Sequence, residues 1–193
     1  MSLVDRAKAI LLTPQKEWPV IEAESTSPAS LYTGYIVPLA AVPAVSSLIG
    51  LTVFGISLLG TSFRVPIGDA LPRVAVQYVL TLVGVFIMAL IVDALAPTFG
   101  GTKSQIQALK LMAYASTASW VAGIFMIIPA LGILALVGGL YSLYLLYIGL
   151  PVMMKAPPDK ALGYTVAAIV AAIVVFAVIG LVTARIGAYP GLP

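Results

Sequence analysis

Charge is missing from four long stretches of this chain, residues 25–63, 74–92, 111–154 and 161–184. They run for 39, 19, 44 and 24 residues, so 126 of the 193 residues lie in charge-free sequence. A helix needs about 20 apolar residues to cross the hydrocarbon core of a bilayer. The 44-residue run is long enough for two crossings and each of the others for one. The reading is an all-α, polytopic membrane protein with five transmembrane helices and a short amphipathic helix before them. Segment 1–30 is expected outside the hydrocarbon, and 31–193 forms the spanning domain.

Composition agrees. Only 9% of residues are charged and the mean hydropathy is +1.11, whereas soluble domains carry roughly 25% charged residues. The net charge of +3 is too small for a nucleic-acid surface. Cysteine and histidine are both absent. That excludes disulfides, thiolate nucleophiles and histidine general bases, and no metal or cofactor is expected. The early apolar run, Ala9 to Leu12, is shorter than the core of about 7–15 residues in a cleaved signal peptide. The first span is therefore expected to act as an uncleaved insertion signal.

Along the chain, Leu3, Val4, Ala7, Ile10 and Leu11 recur at helical period, with Asp5, Arg6 and Lys8 mostly on the other side. Ser2 and Asp5 have capping-box spacing, and Thr13-Pro14 ends the helix. This helix either lies on the bilayer, with Trp18 at headgroup level, or docks a partner. The first span begins near residues 31–35 and can reach Leu59, and Pro38 and Pro43 predict a kink in it. The others are expected over about 74–96, 109–128, 131–154 and 163–186, leaving the final Gly-Ala-Tyr-Pro-Gly-Leu-Pro outside. Pro129-Ala130 forces the third and fourth into a tight antiparallel hairpin. The connections 60–73, 98–108 and 155–162 are too short for a folded domain.

Five spans put the chain ends on opposite sides. The N-terminal side then carries seven Lys and Arg residues and the other side three, Arg64, Arg73 and Arg185. Positive residues in short loops stay cytoplasmic. The expected topology in the cytoplasmic (inner) membrane has the N-terminus inside and the C-terminus outside.

Asp93 is the acidic residue within a hydrophobic segment. Charge at membrane depth points to function by default. Its place four residues before Pro97 also allows it to snorkel, to cap a helix end, or to pair with Lys103 or Lys110. Pro97, Gly100 and Gly101 make a sharp turn that Phe99 can anchor. Two glycines can also offer backbone N–H groups to an anion, but the spacing of a phosphate-binding loop is absent. Tyr141, Tyr144 and Tyr147 recur every third residue, as packing and interface anchors or as the wall of a polar cleft. Gly138, Gly139, Ser142 and Gly149 allow close helix approach. No nucleophile–base pair is recognisable, and no enzyme is read here.

The chain resembles the Yip family of Ypt/Rab-interacting membrane proteins, in its prokaryotic form. The resemblance rests on Ala9-Ile-Leu-Leu-Thr-Pro-Gln-Lys-Glu-Trp18, Asp93-Ala-Leu-Ala-Pro-Thr-Phe-Gly-Gly101, Ala108-Leu-Lys-Leu-Met-Ala-Tyr-Ala-Ser116, Leu140-Tyr-Ser-Leu-Tyr-Leu-Leu-Tyr-Ile-Gly149 and Lys160-Ala-Leu-Gly-Tyr164, in that order. It implies five spans and a cytoplasmic N-terminus, and no catalytic residue. Eukaryotic relatives are linked to Rab GTPases, vesicle budding and membrane shaping. With about 30 residues before the first span, Rab binding does not carry over. The expected role is non-enzymatic: binding a membrane-protein partner or a second copy, or organising the lipid bilayer. The alternative is a small transporter or channel component using Asp93.

Overall fold

The computed structural model describes residues 1–58 and 61–186, without the side chains of 56–62 and 184–186. The C-terminal Gly-Ala-Tyr-Pro-Gly-Leu-Pro, Gly60 and the Arg185 side chain lie outside the described residues. Within them are five helices long and apolar enough to cross a membrane: Pro28–Phe54, Ile67–Phe99, Gln105–Ile127, Pro129–Met153 and Pro158–Thr183. The chain is thus an all-α polytopic membrane protein, as its charge-free runs require.

Two short helices precede the spans, α1 (Leu3–Leu12) and α2 (Pro14–Ala23). The Ser2 hydroxyl accepts from the Asp5 backbone N–H at 3.1 Å and donates to the Asp5 carboxylate at 2.6 Å, closing the start of α1. Thr13 ends it, and Pro14 opens α2 at a position where a missing N–H costs nothing. The sequence reading has a single short helix before the spans, so α2 is an addition to it, and one that forms although Pro19 inside it removes a bond to Gln15. Packing overrides that loss. Trp18 and Ile21 are completely buried, and α2 lies against the fourth span.

The first span is α3 (Pro28–Leu31), a π-helical turn (Tyr32–Ile36), α4 (Val37–Ile49) and a second π-turn (Gly50–Phe54). Pro38 has no N–H for the Gly34 carbonyl, and its ring would crowd it. Val37 instead bonds back to the Tyr32 carbonyl, a π-type bond that widens the helix just before the proline. The span stops at Phe54 rather than Leu59. A hairpin of two three-residue strands follows, β1 (Ile56–Leu58) and β2 (Thr61–Phe63), pairing Ile56 with Phe63 and Leu58 with Thr61.

The second span, α5 (Ile67–Leu95), begins seven residues before its expected start and takes in Arg73. The third is α6 (Gln105–Ala115) and α7 (Thr117–Ala122) with a 3-10 turn over Gly123–Ile127. The fourth, α8 (Gly132–Met153), returns antiparallel along α7 after Pro129, giving the tight hairpin expected. There Gly138 brings the backbones together, since a Cβ on it would lie 2.7 Å from the Ala118 carbonyl oxygen. Ser142 Oγ accepts from the Ser119 backbone N–H at 3.0 Å. The fifth, α9 (Pro158–Ile186), packs on α5 and α8. Its other face exposes Val166, Val170, Ile173, Val174, Phe176 and Leu181, the surface a lipid-facing helix presents.

Tyrosines tie the spans together. Tyr32 donates to the Leu82 carbonyl and Tyr78 to the Val37 carbonyl, each at 2.9 Å, and the Tyr35 hydroxyl meets Thr117 Oγ1 at 2.8 Å. A hydroxyl in hydrocarbon has no water to bond, so each must find such a partner.

Candidate functional site

The buried charged residues gather at one end of the bundle. The N-terminal helices, the connection between the second and third spans, and the connection between the fourth and fifth meet there. The hairpin of β1 and β2 lies at the other end. This is the grouping of connections that spans of alternating direction produce.

Arg6 organises the first part of the site. The sequence reading placed it on the outer side of α1, but it is turned inward and almost fully buried, while Val4 and Leu12 are exposed. Its guanidinium pairs with the Glu17 and Glu24 carboxylates and lies 5.9 Å from the ring centroid of Tyr114 on α6. Burial pulls the Arg6 pKa down. The hydrogen bond to Glu24 and the charges of Glu24 and Glu17 outweigh it, so the net shift is upward. Arg6 thereby joins α1, α2 and the chain just after α2 in one ion cluster, buried at Arg6 and Glu17 and open to solvent at Glu24.

Lys110 forms the second part. It is 2% exposed, and its ammonium donates to the carbonyls of Ile21 at 2.7 Å, Glu24 at 2.6 Å and Glu22 at 3.3 Å. These carbonyls end α2, where no intrahelical N–H reaches them and the helix dipole is negative. A buried cation at that point is thus compensated by main-chain oxygens. The Gln107 carboxamide donates to the Glu22 carbonyl at 3.0 Å, and Lys155 pairs with Glu22 at 2.9 Å. Lys110 therefore does not pair with Asp93. It caps α2.

Trp18 is the third part, and it corrects the sequence reading. It is not an exposed anchor facing the headgroups. It is buried against Gly149, where a Cβ would come within 2.7 Å of the indole ring. Tyr141 donates to the Leu11 carbonyl at 2.7 Å, so α8 also holds the end of α1. Tyr144 is exposed, and its ring lies 5.5 Å from that of Tyr141. Of the two, Tyr141 makes the contact to the N-terminal segment.

The turn after α5 is the fourth part. Pro97 opens a short 3-10 helix, Ala96–Phe99, that ends at Gly100 with φ +72°, a conformation glycine adopts without strain. Gly101 lies so close to the next connection that a Cβ would be 2.7 Å from the Met154 carbonyl oxygen, which accepts from the Thr102 N–H at 2.8 Å. Phe99 stacks on Tyr164 with centroids 5.0 Å apart, and Tyr164 donates to the Val92 carbonyl. The two glycines thus serve a loop–loop contact. Asp93, in the last turn of α5, is half-buried, and its Oδ1 is buried with no hydrogen-bond partner.

Sequence reasoning missed Arg6, Glu17, Glu24 and Trp18. The signal available was an Arg and two Glu residues flanking a tryptophan inside an otherwise amphipathic segment.

Among known proteins, the chain is similar to inner membrane protein YohC of Escherichia coli strain K12. The two are 24% identical over 180 residues, covering 91% of this chain and 92% of the relative. The same figures hold for YohC of E. coli O6:H1 strain CFT073. No solved structure matches. The profile of the Yip1 domain matches residues 8–179. That interval takes in the second half of α1, all of α2 and all but the last residues of the five spans, and the chain therefore belongs to the Yip1-domain family.

Proposed function

We propose that this chain is a non-enzymatic protein of the cytoplasmic membrane that presents its N-terminal cap to a membrane-protein partner or a second copy of itself. The cap faces the cytoplasm and the hairpin end faces outside. The observation that carries this reading is how the charges around the cap are used. Arg6, Glu17 and Glu24 pair with one another and Lys110 with main-chain carbonyls, so they fix the surface that α1 and α2 present, with a cleft of about 320 Å³ beside Arg6 and Glu24. That surface exposes Asp5, Lys8, Gln15 and Lys16, outside the five spans, where another protein can reach it. The excess of Lys and Arg on this side supports its cytoplasmic placement, and the inner-membrane relative supports the choice of membrane.

A photo-crosslinking residue at Gln15 or Lys16 tests the reading in intact cells. A discrete adduct with another membrane protein or with a second copy is expected. A chain that forms none, while folded in the membrane, refutes it.

The transporter reading has one favourable observation, the unpartnered Oδ1 of Asp93. None of the three clefts described in the bundle is lined by Asp93. Reconstituted vesicles that show no proton or cation flux above background, with no change on Asp93→Asn, end that reading.

A further inference from the structure

At the end of the bundle opposite the cap, the first and fifth spans both approach the second, and a crevice of about 410 Å³ remains between them. Its volume falls in the range of small-ligand sites. Ala40, Pro43, Ala44, Leu51, Val74 and Met126 supply an apolar wall. Four hydroxyls also line it, but each is already committed. Ser47 donates to the Ala44 carbonyl at 2.9 Å, Tyr78 to that of Val37 at 2.9 Å, Thr81 to that of Gln77 at 2.8 Å and Thr183 to that of Ile179 at 2.8 Å. The Gln77 carboxamide contacts Thr183 Oγ1 at 2.9 Å, tying the second span to the fifth.

Arg73 is different. It lines the same crevice one turn before Gln77 on α5, it is exposed, and it makes no ion pair or hydrogen bond among the described residues. Asp69 lies one turn earlier still and forms no ion pair with it, and no acidic side chain lines the crevice. The site thus combines a greasy slot, hydroxyls with their protons committed, and one free guanidinium. Apart from the Gln77 amide nitrogen, a hydrophilic solute would find few free donors along such a wall. An acyl chain needs none, and a guanidinium is the side chain best matched to a phosphate.

We infer that this crevice binds an anionic phospholipid, with its phosphate on Arg73 and the upper part of an acyl chain between the first, second and fifth spans. The lipid fills the gap that the proline-bearing first span leaves, and it does so from within the bilayer. This site is independent of the cap and of any partner there.

Native mass spectrometry of the purified full chain, incubated with phosphatidylglycerol or with diacylglycerol of the same acyl chains, which lacks the phosphate, tests it. Phosphatidylglycerol is expected to be retained at least about tenfold more tightly, the scale of one charge-assisted contact. Arg73→Gln should abolish that preference and Arg73→Lys should keep it. Free glycerol phosphate, which lacks acyl chains, should not compete. Ala44→Phe fills the slot and should reduce retention of both lipids. It also decides the matter if Arg73→Gln does not fold, since unchanged retention in Ala44→Phe overturns the site. Equal retention of the two lipids by the wild type, a preference that survives Arg73→Gln in folded protein, or competition by glycerol phosphate alone also overturns it.

Discussion

Gly149 and Trp18 show how single residues set this fold. The indole takes the space that any side chain at 149 would occupy, so one position must be glycine for the other to be buried. Replacing Gly149 with Leu is expected to cost about 1–3 kcal/mol through overpacking. It should lower the unfolding temperature in detergent and shift the tryptophan emission to longer wavelength as Trp18 is expelled. An unchanged emission would mean that Trp18 is not the residue displaced. Arg6 illustrates a second rule. Removing Arg6 or Glu17 leaves a buried charge uncompensated, whereas the exposed Glu24 carboxylate can turn to solvent, so Arg6 and Glu17 stand or fall together. The raised pKa of Arg6 fixes the sign of its pH dependence. Its contribution is fully present below the ordinary guanidinium value and is lost only as pH rises above it. Its own titration therefore leaves the cap unaffected from acid to mildly basic pH. The flagged site residues divide on the same physical grounds. Lys110 is buried because its partners are carbonyls, whereas Tyr144 faces outward and its neighbour Tyr141 makes the bond.

Among elements, α2 is the one whose stability is borrowed. Ten residues with an internal proline do not make a stable helix alone. The helix persists because Trp18 and Ile21 pack into the bundle and Lys110 caps its last carbonyls. Lys110→Met keeps the apolar stem and removes the donor. It should raise backbone hydrogen exchange in residues 14–24 by about tenfold, a local opening easier by roughly 1.4 kcal/mol, with the spans unaffected. Equal protection in the variant and wild type would show that packing alone holds α2. The first span is the counterpart. Its two π-turns flank the proline-bearing α4, and the crevice at Arg73 opens along that irregular helix.

For the whole molecule, five spans force the cap and the hairpin to opposite faces of the membrane. The chain has no cysteine, so single-cysteine variants give a clean measurement. Lys16→Cys and Arg64→Cys both place the thiol at exposed positions. In intact cells an impermeant thiol reagent should label Arg64→Cys and spare Lys16→Cys until the membrane is opened. The reverse pattern would invert the topology, and labelling of both from outside would break the five-span layout. Sequence alone determined the class, the number of spans, the third–fourth hairpin and the Asp93–Gly101 turn, because each follows from local quantities: a run long enough to cross hydrocarbon, or a proline and glycines that end a helix. The inward turn of Arg6, the burial of Trp18, the existence of α2, the hairpin after Phe54 and the partner of Lys110 were decided by tertiary structure. Each depends on which surface a segment meets from far along the chain, as Lys110 meets residues 21–24 and Trp18 meets Gly149. Periodicity within a segment carries no record of that meeting.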